Sequence, residues 1–296
     1  MPKQTPKFSV VIPNYNYVQF LKQAIESVQA QSFSSWQLIV VDNFSTDGSS
    51  ELVTSLADDR IQLVQFANGG SIAAARNRGA EIAVGDYLAF LDSDDFWFPN
   101  KLEECFRVLE AGADFVYHHL AIEGPKNTFG ARFVKARKLK GVALRDLLVN
   151  GNAVATSSVV LRTSLFRSLG GMNPSPELLG VEDYDAWLRV ADSGGKMVAI
   201  PKVLGGYRVH PGSVSRSRMA GKVRAVVEPY LARLPTSDIR KAKAILTYIE
   251  AREDFILNRP GSPGRFLSVI INANFPHKIR AIYMLLISTL GGRKRT

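Results

Sequence analysis

The sequence predicts an α/β fold: a Rossmann-like, mostly parallel sheet flanked by helices, with a helical extension at its C-terminal end. Over the first 125 residues, short apolar runs alternate with helical patterns, as they do in βαβ units. Acidic residues follow two of these runs, and parallel sheets bind ligands at the carboxyl ends of their strands. After residue 217 the alternation gives way to helical patterns interrupted by prolines.

The spacing of apolar residues predicts each element in turn. The first half should contain strands at Phe8–Ile12, Trp36–Val41, Ile61–Phe66, Tyr87–Leu91 and Phe115–Leu120, with helices at 18–31, 49–57, 71–84 and 100–111. A basic, glycine-containing loop over 124–141 should then lead to a helix near 143–150, a strand at Ala155–Leu161, a helix from about Glu182, and strands at Met197–Ile200 and Val203–Tyr207. We therefore expect a domain over 1–217, in halves of about 1–123 and 124–217, and a basic helical extension over 218–296.

Charge is distributed unevenly along the chain. Residues 1–195 hold 18 Lys and Arg against 22 Asp and Glu, a net charge of −4, whereas residues 196–296 hold 19 against 5, or +14. This asymmetry argues against a nucleic-acid partner for the first domain and favours an anionic surface near the extension. The single cysteine, Cys105, excludes an internal disulfide and a thiolate metal cluster.

No apolar stretch is long enough to span a bilayer, which takes about 20 residues. The run Phe8–Ile12 is also too short for the core of a secretory signal. The expected location is therefore the cytoplasm, with peripheral attachment to the inner face of the plasma membrane.

Three acidic sites are candidates for chemistry: Asp42 in "LIVVDNFSTDGS", the cluster Asp92, Asp94 and Asp95 in "YLAFLDSDDFW", and Glu182-Asp183 at the start of a helix. Each has an ordinary structural alternative, because Asp favours turns and acidic residues stabilise the first turn of a helix. Clustered carboxylates repel one another, however, so the second site also favours a bound cation such as Mg²⁺ or Mn²⁺.

Five motifs in order resemble the signatures of family 2 inverting glycosyltransferases. They are "VVIPNYN", "LIVVDNFSTDGS", "GGSIAAARNRGAEIAVGDYLAFLDSDD", "GVEDYDAWLRV" and "GYRVHPGSVS", and they extend from residue 8 to about 215. The resemblance implies a GT-A fold, a nucleotide-sugar half over 1–123 and an acceptor half over 124–217. It also implies a nucleotide-diphosphate-sugar donor with uridine as the expected base, a divalent cation, and a glycan or lipid-linked acceptor hydroxyl.

The resemblance also assigns roles to individual residues. Those that contact the nucleotide-sugar would be Pro13, Tyr15, Asn16, Asp42, Arg76 and Asp92. Asp94 would ligate the metal, with Asp95 as a weaker member of the group and His210 as a further metal or diphosphate contact; a structural histidine is the alternative for His210. Asp183 would be the general base, ionised because a model Asp has a pKa of about 3.9 and a helix N-terminus favours the anion.

Three further side chains leave alternatives open. Glu182 and Asp185 lie close to the predicted base in the same helix, and either could take its place. Trp187 lies one helical turn after Asp183, where it would either line the acceptor or sugar pocket or pack into the core.

The segment 264–296 mixes aliphatic and aromatic residues with basic flanks. This pattern is typical of a helix at a membrane interface, but it also fits a helix whose apolar face packs on the catalytic domain.

Two rival functions remain open at the level of sequence. A non-catalytic protein that binds nucleotide-sugars at a membrane would not need both Asp94 and Asp183. A nucleotidyltransferase would need a glycine-rich, basic loop after the first strand, and "IPNYNYVQF" contains neither glycine nor lysine. The chain lacks the G-x-G-x-x-G motif, which argues against a dehydrogenase. It also lacks a Walker A lysine loop, so metal and side chains would have to meet the charge of the phosphates.

Overall fold

The first of two compact units is built on a nine-stranded mixed sheet. The computed structural model describes residues 5–124, 132–210, 219–257 and 259–289. Contacts divide the chain into unit 1, residues 1–139 and 153–213, and unit 2, residues 140–152 and 214–296. The predicted boundary near 217 lies outside the described residues.

The strands are β1 (Phe8–Asn14), β2 (Trp36–Asp42), β3 (Ile61–Gln65), β4 (Tyr87–Phe90), β5 (Phe96–Trp97), β6 (Phe115–Glu123), β7 (Phe133–Val134), β8 (Val160–Arg162) and β9 (Met197–Arg208). The helices of unit 1 are α1 (Val18–Gln29), α2 (Ser49–Thr54), α3 (Ile72–Ile82), α4 (Lys101–Glu110), α6 (Thr163–Ser168) and α7 (Glu182–Asp192). Those of unit 2 are α5 (Ala143–Asn150), α8 (Ala220–Leu231), α9 (Thr236–Ile256), α10 (Ser262–Asn272) and α11 (Phe275–Thr289). The predicted α/β class with a helical C-terminal part is confirmed.

The sheet order is β3-β2-β1-β4-β8-β6-β9-β5, with β7 paired to β6. The β1–β2, β1–β4 and β2–β3 pairs are parallel, so β1, β2 and β4 end along one edge of the sheet. Strand β8 is antiparallel to β4 and β6, and β6 is parallel to β9. This arrangement brings the segment that follows β4 close to the C-terminal end of β9, because β5 pairs with β9 at Phe96 and Gly206.

Alternating side chains on the strands supply two cores, one on each face of the sheet. Phe8, Val10 and Ile12 of β1 pack with residues of α1 and α4. Val11 packs on the opposite face with α3 and α7. Gly79 allows α3 to approach β1 closely, since a Cβ atom at this position would collide with Val11.

Five local features differ from the predictions. Strand β5, strand β7 and helix α6 were not expected, and β7 lies in the segment expected to be a loop. The expected strand Ala155–Leu161 is a 3₁₀ turn at Thr156–Ser158 followed by β8. The two short strands expected near 197–207 are one strand, β9. Two-residue strands carry no recognisable period, which explains why their pattern was missed.

Unit 2 has its own apolar core, formed by Ala244, Tyr248, Phe266, Val269 and Met284 with their neighbours. Helix α5, which the sequence placed in the acceptor half, belongs to this unit, where Arg145 forms an ion pair with Asp238 of α9. No described helix is both long and apolar enough to cross a membrane.

Lys101, the first residue of α4, is fully buried, and its ammonium group lies 3.3 Å from the centre of the Trp97 ring. Burial lowers the pKa of Lys101 to about 7, because the charged form loses its hydration. A lysine whose pKa is lower in the folded than in the unfolded protein destabilises the fold progressively as the pH falls from about 10 through 7.

We therefore expect Lys101→Met to raise the thermal midpoint by a few degrees at pH 7, because methionine needs no charge in the core. The difference should shrink above pH 10, where the lysine of the unfolded protein, with an ordinary pKa of about 10.4, also loses its proton. Thermal melts of the two proteins across this pH range test the prediction, with the exposed Lys22→Met as control. A destabilised Lys101→Met at neutral pH would show that the contact with Trp97 outweighs the cost of burial.

Candidate active site

The loop after β2 is organised around the buried carboxylate of Asp42. One carboxylate oxygen accepts hydrogen bonds from Asn14 Nδ2 (2.7 Å) and Ser45 Oγ (2.5 Å). The other accepts from the Ser45 backbone N–H (2.8 Å) and Ser50 Oγ (3.2 Å). The Ser45 hydroxyl in turn accepts from the Asn16 backbone N–H at 2.8 Å. Asp42 therefore holds this loop against the end of β1, and a nucleobase that reached it would have to compete with these donors.

Two aromatic side chains project from the loops at this edge. Tyr15 is 55% exposed, and Phe44 is 58% exposed. Pro13, two residues before Tyr15, is buried. Phe44 and Asn16 both have left-handed backbone conformations, with φ of 56° and 54°. This conformation is uncommon for a bulky residue and is found preferentially at functional sites. The two rings provide apolar surface where the resemblance places the nucleotide.

A buried guanidinium joins the end of β4 to the start of α7. Arg76 of α3 is 3% exposed, and its two terminal nitrogens lie 2.6 Å from Asp92 Oδ1 and 2.8 Å from Glu182 Oε1. Burial alone would lower the pKa of Arg76, but attraction to Asp92 and Glu182 outweighs burial and holds the pKa above its ordinary value. The second Glu182 oxygen accepts from the Gly180 backbone N–H.

Asp183 lies next to Glu182 in the first turn of α7 and is partly exposed. Its carboxylate accepts hydrogen bonds from Thr156 Oγ1 (2.8 Å) and the Tyr184 backbone N–H (2.6 Å). Burial and the adjacent Glu182 raise the pKa of Asp183 to about 6, although Arg76 and Thr156 oppose the shift. The carboxyl is thus largely ionised at neutral pH, but with a pKa well above the ordinary value assumed from the sequence. A pKa close to the working pH is favourable for a general base.

Two residues after Asp92, Asp94 pairs with a histidine: its Oδ2 lies 2.9 Å from His210 Nε2. The His210 ring also packs on Phe20 and Tyr17, with centroid distances of 5.0 and 5.5 Å. Burial and the charge of Asp92 raise the pKa of Asp94, while the contact with His210 opposes this shift.

Asp95 is fully buried, and its Oδ1 accepts the Arg208 backbone N–H at 2.9 Å. Burial, followed by the charges of Asp94 and Asp92, raises the pKa of Asp95 well above its usual range. The Arg208 guanidinium binds the Asp94 carbonyl at 2.7 Å. We call Asp92, Asp94, Asp95, Glu182 and Asp183 the acidic centre.

Comparison with known proteins decides the family. The model named Glycosyl transferase family 2 matches residues 9–168, which is more than half of the chain. The chain belongs to glycosyl transferase family 2, and it is an enzyme of the glycosyltransferase type.

One relative of this family 2 enzyme is the Escherichia coli UDP-Glc:alpha-D-GlcNAc-diphosphoundecaprenol beta-1,3-glucosyltransferase WfgD, 30% identical over 71% of this chain and 80% of the relative. Among solved structures, S. aureus TarS in complex with UDP-GlcNAc matches with a TM-score of 0.66 and 18% identity, over 92% of this chain and 83% of that one. The mannosyltransferase PcManGT of Pyrobaculum calidifontis, in complex with GDP-Man and Mn²⁺, matches with a TM-score of 0.65 and 18% identity, over 99% and 82%. Both structural likenesses establish the fold, which is the expected GT-A fold.

The donor atoms of Asp94 and His210 can be tested for their fit to a divalent cation. Neighbouring ligands of an octahedral ion with bonds of about 2.1 Å lie about 3 Å apart, and the observed separation is 2.9 Å. Carboxylate and imidazole together suit Mn²⁺. Within the described ranges, no group of three or more His, Cys, Asp or Glu side chains is arranged to hold a metal ion. Asp94 and His210 therefore supply two of the ligands that such an ion would need, and phosphate and water would have to supply the rest.

The sequence-based predictions for this family 2 enzyme left out several residues of the site. Thr156 and Ser157 come from the 3₁₀ turn, where Ser157 Oγ accepts the Asp92 backbone N–H at 3.1 Å. Nothing in the pattern "ATSSVV" distinguished them from a strand. Phe44 and Arg208 lie within quoted motifs but had no assigned role.

Trp187 does not line a pocket. It is fully buried and packs edge-on against Phe115 at 4.8 Å, so the core-packing alternative describes it.

The buried position of Arg76 gives a stability prediction. Arg76→Met should lower the free energy of unfolding by about 3–5 kcal/mol, because Glu182 would remain buried without a counter-charge and Asp92 would lose its partner. Chemical denaturation measures this change. Arg78→Met is the matched control on the same helix, since Arg78 is 41% exposed and pairs only with the exposed Glu81, a contact worth about 0–1 kcal/mol. Equal losses in the two variants would contradict the proposed importance of the buried pair.

Proposed function

We propose that this enzyme transfers a sugar, with inversion, from a UDP-sugar to a hydroxyl group of a glycan or lipid-linked acceptor, with the help of a divalent cation. The observation that carries the proposal is Asp183, a partly exposed carboxylate of the acidic centre whose pKa is raised to about 6 and which accepts a hydrogen bond from Thr156. WfgD, a relative that uses a UDP-sugar and a diphosphoundecaprenol-linked acceptor, supports the donor and the acceptor class. We further propose that the enzyme works in surface-polysaccharide biosynthesis, in the cytoplasm at the inner face of the plasma membrane.

The nucleotide is proposed to bind at the ends of β1 and β2. Tyr15 and Phe44 would contact the base on the surface that they expose, while Asp42 and Asn16 keep the loop in place through Ser45. A buried carboxylate with four donors is suited to hold this geometry without rearrangement on binding, which lowers the entropic cost of ordering the site.

The diphosphate is proposed to bind near Asp94 and His210, with Asp92 directed toward the ribose or the sugar. Mn²⁺ or Mg²⁺ held by Asp94 and His210 would stabilise the negative charge that develops on the phosphate oxygens of the leaving group. PcManGT, whose structure contains Mn²⁺, supports a metal of this kind. In this arrangement Arg76 supports Asp92 and Glu182 from below the surface. This role replaces the direct contact with the nucleotide-sugar that the resemblance implied for Arg76.

Transfer then requires the acceptor hydroxyl oxygen to attack the anomeric carbon as the bond from that carbon to the diphosphate oxygen breaks. The hydroxyl proton moves to Asp183, and the bonding electrons leave with the diphosphate. Thr156 holds one oxygen of Asp183 and fixes the orientation of the carboxylate. The neighbouring Glu182 is engaged by Arg76 and by the Gly180 backbone N–H, which makes it the poorer candidate for the base.

Asp183→Asn should keep the affinity for UDP but lower turnover by roughly 10²-fold or more, because no carboxylate remains to accept the proton. In the wild type, kcat/KM should fall about tenfold per pH unit below pH 6, where protonation of Asp183 removes the base. Steady-state kinetics with a UDP-sugar, together with calorimetry of UDP binding, measure both effects.

Asp185→Asn is the matched control for this substitution. Asp185 lies in the same helical turn but pairs with Arg189, so its loss should leave turnover nearly unchanged. An Asp183→Asn variant with near wild-type turnover would transfer the role of base to another group. A wild type that is inactive with all donors would favour a nucleotide-sugar-binding protein without catalysis.

The metal proposal is tested by the binding of UDP with and without Mn²⁺. Wild-type protein should bind UDP more tightly with the ion, and Asp94→Ala should remove the enhancement, because Asp94 supplies an anionic ligand. Asp86→Ala is the control. Asp86 lies just before the first residue of β4, at the end of the strand away from Asp94, and it pairs with Lys7 on the surface. Equal affinity in the presence and absence of metal would refute the role of Asp94.

A further inference from the structure

Helix α11 presents apolar side chains on two opposite faces. At about 100° per residue, His277, Ala281 and Met284 fall on one side of the helix, and all three are buried in unit 2. The opposite side carries a second apolar set, Phe275, Ile279, Ile282, Tyr283 and Leu286, whose side chains are all exposed. We call this second set the exposed stripe. A helix that packs through only one face would carry polar residues there.

The neighbouring helix has the same double character. Phe266 and Val269 of α10 are fully buried, whereas Leu267 and Ile271 are 54% and 67% exposed. Of the fourteen large hydrophobic side chains found exposed in the described ranges, nine lie between Ile256 and Leu286. Single exposed apolar residues are ordinary on protein surfaces, but such a concentration within one segment marks an interaction surface.

The charge pattern identifies the partner of this surface. After Asp254 the sequence contains no Asp or Glu, and residues 255–296 contain seven Lys and Arg. On α11, Lys278 and Arg280 lie on either side of the exposed stripe by helical spacing. An apolar stripe with basic borders is complementary to a partner that is apolar inside and anionic at its surface. It is less suited to a second copy of the chain, because the two basic segments would repel each other.

We propose that the exposed stripe of α11, together with Leu267 and Ile271 of α10, docks on a bilayer of anionic phospholipid. The fifteen residues of α11 extend about 22 Å, less than the roughly 30 Å hydrocarbon core of a bilayer. The helix therefore lies in the plane of the interface, with its apolar side chains among the acyl chains and its basic groups at the phosphates. The two roles that the sequence allows for the C-terminal segment, packing and membrane contact, are thus divided between two faces of the same helices. The inference does not depend on the proposed reaction.

Flotation with phosphatidylglycerol vesicles and with phosphatidylcholine vesicles tests the proposal on the full-length protein. The wild type should float with the anionic vesicles and bind the neutral ones at least tenfold more weakly, because basic residues near the surface add to the attraction only when lipid charge is present. Raising the salt concentration should weaken binding to the anionic vesicles, since exposed charges are screened. Absence of flotation, or equal binding to both lipids, would overturn the proposal.

Substitutions on α11 locate the surface. Ile279→Glu should reduce binding to anionic vesicles by roughly tenfold or more. The change removes apolar area that the bilayer would bury and adds a negative charge that anionic lipid repels. Val84→Glu is the matched control: Val84 of unit 1 is 58% exposed against 52% for Ile279, so the same chemical change should leave binding intact. Lys278→Gln combined with Arg280→Gln should also weaken binding roughly tenfold or more.

Thermal unfolding and UDP affinity check that each variant is folded, and both should match the wild type. If Ile279→Glu alone proves unstable, Leu286→Glu provides the same test at another position of the stripe. Wild-type binding by folded Ile279→Glu and Leu286→Glu would overturn the assignment. A wild-type protein that is dimeric, and that Ile279→Glu converts to monomers, would also overturn the assignment, because the exposed stripe would then contact a second copy of the chain.

Discussion

The ion pairs of Arg76 with Asp92 and Glu182 are the interaction on which the acidic centre depends. They connect helix α3 to Asp92, which follows the end of β4, and to Glu182, the first residue of α7. A guanidinium can serve both partners because its planar fork offers separate N–H groups to each carboxylate. Removing the Arg76 guanidinium from water costs free energy, which is offset only while both Asp92 and Glu182 stay in position. The positions of Asp92 and Glu182 are therefore coupled through one side chain.

Much of unit 1 could be predicted because its strands and helices carry strong, local periodicity. The strands around Val11, Ile39 and Leu88 are buried on both faces, and their continuous apolar runs are visible without any tertiary information. The meeting of Arg76 with Glu182 could not be predicted in this way, since the two are 106 positions apart and only the sheet order brings them together. Thr156 and strand β5 were missed for the same reason: their conformations are set by partners distant in sequence.

The C-terminal segment shows a different limit of sequence analysis. Its composition allowed two interpretations, packing and membrane contact, which were treated as alternatives. Composition reports how much apolar surface a helix carries, but not how many partners share it. In α11 the buried Met284 and the exposed Ile279 lie on opposite sides of one helix, so both interpretations can hold at once. Only the burial of each side chain separates them.

The charge balance of the acidic centre supports the divalent cation proposed for this family 2 enzyme. Five carboxyl groups belong to this centre. The Arg76 guanidinium contacts two of them, whereas the Arg208 guanidinium binds the main-chain carbonyl of Asp94. Burial and mutual repulsion already raise the pKa of Asp94 and Asp95, which shows that further negative charge would be costly. A nucleotide diphosphate adds such charge. The two terminal nitrogens of Arg76 bind Glu182 and Asp92, and the Arg208 guanidinium binds the Asp94 carbonyl and Gln23. Neither can therefore turn toward the phosphates without releasing a structural contact. In the proposed mechanism, a divalent ion that arrives with the donor would resolve this conflict without rearranging the fold.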